Sequence, residues 1–234
     1  FIYTVDSDDN AIDLDYGSTG ALALNNATIS DAAGNAATLT LVPPGSENSL
    51  GANKALLVNG SIPTIVSVST SAGDGYYVAG DTLAFTVNFS EAVTVTGTPQ
   101  LTLETGATDA VANYTSGSAS SALVFRYIVA SEDNSNDLDY VSDSALTFNS
   151  GAIIDAVGSS ADLTLAVPGA ANSISASKSL VIDNIAPIFS NVTEGSAIST
   201  SENDVDYQNF SDTLVISWSG SDGGSGISTY EYAL

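Results

Sequence analysis

The chain has 234 residues, 27 of them acidic against three basic, for a formal charge of −24. That balance leaves no basic surface to neutralise phosphates, so it excludes nucleic acid as a partner, and it disfavours anionic membrane surfaces. With no cysteine and no histidine, disulfides, thiolate or histidine-ligated metal centres and the Ser-His-Asp and Cys-His catalytic arrangements are excluded too, and the chain reads as non-enzymatic.

Hydrophobic residues make up 44% of the sequence, enough to bury a core. Self-repulsion at this charge calls for salt or multivalent cations as a screen. No apolar run approaches the length of a membrane span, so no membrane insertion is expected in this segment. The sequence opens on Phe1 without a signal peptide, and any export signal is expected to lie outside it.

In chain order, a β-type run "FIYTVD" (1–6) leads into an acidic stretch, "SDDNAIDLDY" (7–16). Residues 25–35, "NNATISDAAGN", and 39–58, "LTLVPPGSENSLGANKALLV", follow, and then a junction, "LVNGSIPTI" (57–65). Alternating strands are predicted at 64–71, 81–89, 99–105, 109–116, 121–130, 145–151, 161–167 and 178–183, each bounded by Gly, Asp, Asn, Ser or Pro. One turn of helix is expected near "DAVGSS" (155–160). The spacing predicts an all-β fold, an antiparallel sandwich of seven or more strands.

Sliding the chain on itself aligns residues 1–63 without a gap onto 125–187, with 30 of 63 positions identical. The second acidic stretch, "SEDNSNDLDY" (131–140), is the counterpart of the first. This divides the chain into 1–63, the C-terminal half of one unit; 64–187, a complete unit; and 188–234, the start of a different sandwich carrying Trp218. Neither half is expected to close a core alone.

The acidic stretches are the first candidate sites. Calcium takes six to eight oxygen ligands, mostly carboxylates and carbonyls. Asp133, Asp137 and Asp139, with Asp9, Asp13 and Asp15 in the first copy, offer several within ten residues. On a strand Asp137 and Asp139 share a face, and only one of Leu138 and Tyr140 is expected in the core. The other reading is a solvated turn of ordinary Asx chemistry.

Further acids stand at turns: Glu91 in "FSEAV", with Asp74 and Asp81 as companions at one pole, or all three simply as turn formers. "GSDGGSG" (220–226) lacks a phosphate-loop lysine and reads as a turn. Tyr76, Tyr77, Tyr230 and Tyr232 are candidate surface aromatics for a glycan or protein ligand.

The ordered series "YYVAGDTLAFTVNFSEAVTVTGTPQLTL" (76–103), "ANYTSGSASSALVFRYIV" (112–129), "NDLDY" (136–140) and "LTFNSGAIIDAVGSSADLTL" (146–165) resembles the bacterial immunoglobulin-like repeats of large surface and secreted adhesins. The last 47 residues are more similar to a fibronectin type III-like sandwich. The resemblance implies tandem immunoglobulin-like domains in an extracellular, non-catalytic stalk or adhesive module, with calcium as the cofactor. The partners expected are neighbouring domains of the same long chain and, as an alternative, other copies in a fibre that complete the exposed strands of a half-unit by strand addition. The junction "VIDNIAPIFS" (181–190) looks like a cadherin-type linker. By that likeness Asp183 and Asn184 are ligands and Asp155 is a partner, although Asn59 and Gly60 replace the pair at the first junction.

Overall fold

The computed structural model describes residues 2–194 and 216–231. The fold is all-β with predominantly antiparallel sheets, and its elements follow the alternation of the sequence. The short strands β1 (Asn10–Ala11) and β2 (Val58–Asn59) pair with each other, with the single helical turn α1 (Leu50–Asn53) between them. Ser49 caps that turn, its hydroxyl accepting the Ala52 N–H. The turn near 155–160 forms no helix, because Asp155 draws the Val157 and Ser159 N–H groups onto its own carboxylate.

The complete unit holds β3 (Ile65–Thr70), β4 (Gly75–Tyr77), β5 (Thr82–Thr96), β6 (Gln100–Leu103), β7 (Ala110–Ser116), β8 (Ser120–Ile128), β9 (Leu146–Thr147), β10 (Ala152–Ile154) and β11 (Leu180–Ile182). Seven of these form one sheet in the order β10-β5-β8-β7-β6-β9, with β3 on the other side of β5. The long β5 organises it. Leu83, Phe85, Val87 and Phe89 alternate inward while their neighbours face out, and β8 answers with Leu123, Phe125 and Tyr127. Tyr114 meets Phe125 edge-on with ring centroids 5.9 Å apart.

Pairing of β5 with β8 breaks between Asn88 and Val93. The stretch "SEA" leaves the ladder there and carries Glu91 outward.

The structure corrects three expectations of element and pairing. Residues 161–167 form no strand. The "GYY" of a presumed turn forms β4, and β4 pairs with β11 in parallel, the one departure from antiparallel order among the described residues. Leu138 and Tyr140 are both in the core: residues two apart on an extended segment share a face.

Beyond the unit, β12 (Ile188–Glu194) pairs with β13 (Ile216–Ser221). No helix among the described residues is long and apolar enough to cross a membrane.

Candidate functional site

The second acidic corner is built around a buried carboxylate. Asp139 accepts five hydrogen bonds: from the N–H groups of Tyr140 (2.9 Å), Gly169 (3.0 Å), Ile174 (3.3 Å) and Ser175 (3.3 Å), and from the Ser175 hydroxyl (2.7 Å). The turn "PGAANS" presents these donors because Gly169 (φ 78) and Asn172 (φ 76) adopt the left-handed conformation that Gly and Asn tolerate. Beside it the Tyr140 hydroxyl donates to the Ala166 carbonyl at 2.6 Å. At the other end Asp133, also buried, accepts from the Tyr127 hydroxyl (2.6 Å) and the Ala130 N–H (2.7 Å).

The same bonds recur 124 positions earlier. Asp15 accepts from the N–H groups of Tyr16 (2.8 Å) and Gly45 (3.0 Å), and the Tyr16 hydroxyl donates to the Val42 carbonyl (2.8 Å). Asp9 accepts from the Asp6 N–H at 2.7 Å and from Tyr3. Asp31 binds the N–H groups of Ala33 and Asn35 as Asp155 binds those of Val157 and Ser159. Gly45 (φ 75) and Asn48 (φ 70) repeat the left-handed pair.

Desolvation alone would raise Asp15, but the N–H groups of Gly45, Tyr16 and Gly51 and the Ser49 hydroxyl together hold it below the ordinary carboxylate range. Asp31 is lowered chiefly by the Asn35 side chain.

Asp137, by contrast, is exposed and lies in a bend, whereas Asp139 is buried. Its pKa is raised by desolvation and by the charge of Asp139. In the first copy both carboxylates approach Gly51: a β-carbon placed there would stand 3.0 Å from an Asp15 oxygen and 3.3 Å from an Asp13 oxygen.

The remaining predicted sites fall at the junctions. Asn59 donates through its amide to Glu91 (3.2 Å) and to Asp155 (3.1 Å), bridging two carboxylates, while its own oxygen accepts from Ser61. A cleft of about 650 Å³ opens beside this bridge, and its one charged wall group, Glu91, is already tied to Asn59.

Asp183 occupies the equivalent position at the second junction. It is buried and accepts from the N–H groups of Ile185 and Ser225. Hydrogen bonds from Ser225 first, then Ile185, lower its pKa. Asn184 donates to the carbonyls of Ala130 (3.0 Å) and Asp133 (2.7 Å) and accepts from the Ala79 N–H (2.7 Å).

Asp74 and Asp81 do not join Glu91: Asp74 accepts from Ser179 and Asp81 from Val78. Of the surface aromatics, Tyr76 is exposed, the Tyr77 hydroxyl donates to Gly73, Tyr230 lies 6.2 Å from Trp218, and Tyr232 is outside the described residues.

A calcium ligand needs lone pairs that converge on a shared space. Asp133, Asp139, Asp155 and Asp183 each accept hydrogen bonds from N–H or O–H groups of the protein. Among the described residues no group of three or more acidic side chains is placed to hold a metal ion.

The sequence reading missed the donors of these acids, above all Gly169, Ser175 and the "GSDGGSG" turn that cradles Asp183. The signal was present for the first of them, since Pro44-Gly45 and Asn48-Ser49 recur at 168–169 and 172–173 with the acids they serve.

Two predictions arise here. A β-carbon on Gly224 would collide with the Asp183 carboxylate. Gly224→Ala is therefore expected to release the turn, with faster amide exchange at residues 223–226 and none at 125–140. The second concerns alkali. Desolvation, then Asp139, pushes Tyr140 from 10.0 up to about 12, and desolvation with the Asp133 hydrogen bond raises Tyr127 as well. These folded values exceed the unfolded one, so the stability the hydroxyls confer is complete below pH 10 and is lost as the pH rises through about 12. Tyrosinate absorbance and circular dichroism should change together in that window; ionisation without unfolding would contradict it.

No family model, curated protein or solved structure matches the chain.

Proposed function

We propose that the chain is a non-catalytic spacer: tandem immunoglobulin-like β-modules in the stalk of a bacterial extracellular adhesin or surface fibre. The observation that carries this reading is the recurrence of one acid-centred hydrogen-bond set at a spacing of 124 residues. Its acids serve the backbone of their own unit, which is structural work.

The junctions support it as well. Where the next unit offers carboxylates, the linker supplies the Asn59 amide; where the next segment offers the Ser225 N–H, the linker supplies the Asp183 carboxylate. Such complementary pairs restrict bending between units. Calcium enters the proposal only as one cation able to shield solvent-facing acids such as Asp137.

The test is small-angle scattering on chains carrying one, two and three extra copies of residues 64–187. With β5 spanning 15 residues, each copy should lengthen the particle by roughly 50 Å at 3.3 Å per residue. A particle that stays compact as copies are added would refute the stalk.

A further inference from the structure

We propose that the Asn59–Gly60 step is a self-modification site, a latch at the first junction that deamidates when the junction opens and then keeps it from closing. Asn-Gly occurs once in the chain, at 59–60. The reaction is intramolecular. The Gly60 nitrogen attacks the Asn59 side-chain carbonyl carbon and gives up its proton, while Nδ2 takes up a proton and leaves as ammonia. The succinimide so formed adds one water from solvent and opens to aspartate or isoaspartate. Glycine in second place permits this, because it has no side chain to hinder the attack.

The fold requires this pair and restrains it. A β-carbon on Gly60 would collide with the Asp6 carbonyl, so glycine alone fits there. At the equivalent position of the second junction, the Asn184 side chain reaches the carbonyls of Ala130 and Asp133, the counterparts of Asp6 and Asp9. Gly60 instead donates its backbone N–H to the Asp9 carbonyl at 2.8 Å. Asn59 is held as firmly. Its Nδ2 donates to Glu91 (3.2 Å) and Asp155 (3.1 Å), and its Oδ1 accepts from the Ser61 hydroxyl (2.7 Å) and N–H (3.3 Å). Its backbone pairs in β2 opposite Asn10. A carbonyl acceptor cannot remove the Gly60 proton, so cyclisation waits for a local opening that breaks these bonds.

The product cannot restore them. A carboxylate at 59 has no hydrogen to offer, and Glu91 and Asp155 would face a third negative charge where an amide had joined them. Isoaspartate also routes the main chain through Cβ, which puts β2 out of step with β1. Each opening is thereby recorded at position 59. The second junction, where Asp183 precedes Asn184, carries no such step. The latch operates whether or not the chain is a stalk.

The experiment holds the full chain at neutral pH, folded and in denaturant, and follows residue 59 by peptide mapping that separates asparagine, aspartate and isoaspartate. Deamidation is expected to be at least about tenfold slower in the folded chain. Glu91→Ala removes one acceptor and leaves the Asn-Gly sequence intact. It should speed deamidation of the folded chain and leave the rate in denaturant unchanged. Asn59→Asp installs the product directly, and should speed amide exchange at residues 9–11 and 58–60 while leaving 125–140 unchanged. Equal rates in the folded and denatured chain, a folded rate indifferent to Glu91→Ala, or parental exchange in Asn59→Asp would each overturn the proposal.

Discussion

Asp139→Ala is expected to destabilise the 64–187 unit by about 3–5 kcal/mol, while Asp137→Asn, two positions away, shifts it by less than about 0.5 kcal/mol. The contrast follows from geometry. Asp139 is buried and removing its carboxylate strands three backbone N–H groups and a serine hydroxyl, the Gly169 N–H keeping the Ser173 hydroxyl as an acceptor. Each buried donor without an acceptor costs about 1–3 kcal/mol, discounted because part of the turn can relax toward water. Asparagine is no rescue at 139, since its NH2 would face donors. Asp137 is exposed and pairs with nothing comparable. Denaturant unfolding of both variants tests the pair. Similar losses at 137 and 139 would mean that the two acids share one ligand, as a cation site requires.

The second large effect separates the two copies. Ile153→Ala should cost about 3–4 kcal/mol, by lost transfer energy and the cavity left behind, because Ile153 is fully enclosed. The equivalent Ile29→Ala should change stability by no more than about 0.5 kcal/mol. The residue type and backbone setting are the same, with an isolated bridge following each, Ser30 to Ala36 and Ile154 to Ser160. Only the covering layer differs. Thermal unfolding of the two variants settles it, and an equal cost at both positions would show that residues 1–63 already bury that face.

Much of this was legible in the residues. Strict alternation placed β3, β5, β6, β7 and β8 because each has one face in the core, and a period of two leaves little ambiguity. The self-alignment located the acidic corners and their tyrosines. What alternation cannot carry is pairing. β4 and β11 are three-residue strands joined in parallel across the unit, and residues 161–167 alternate but bond at single points, Ala161 to Ile153, Asp162 to Pro63 and Leu165 to Asp143, without forming a ladder.

The corner was only partly legible for a related reason. "DLDY" was treated as a strand with both carboxylates on one face, but the donors that decide its chemistry lie some 30 residues on, at Gly169 and Ser175. A cluster of acids in sequence says where negative charge is; only the fold says whether hydrogens or cations answer it. Asn59 shows the same limit. As a departure from Asp183 it looked like a lost ligand, and in the structure it is the donor that two facing carboxylates need.

The most direct test of the claim that these acids are internal acceptors is thermal unfolding of the full chain in chelator, in millimolar calcium, and in magnesium or sodium chloride at matched ionic strength. The account predicts that the melting temperature rises equally with each salt, by screening of the −24 charge, and that Asp137→Asn leaves the calcium response unchanged. A rise specific to calcium and lost in Asp137→Asn would contradict it.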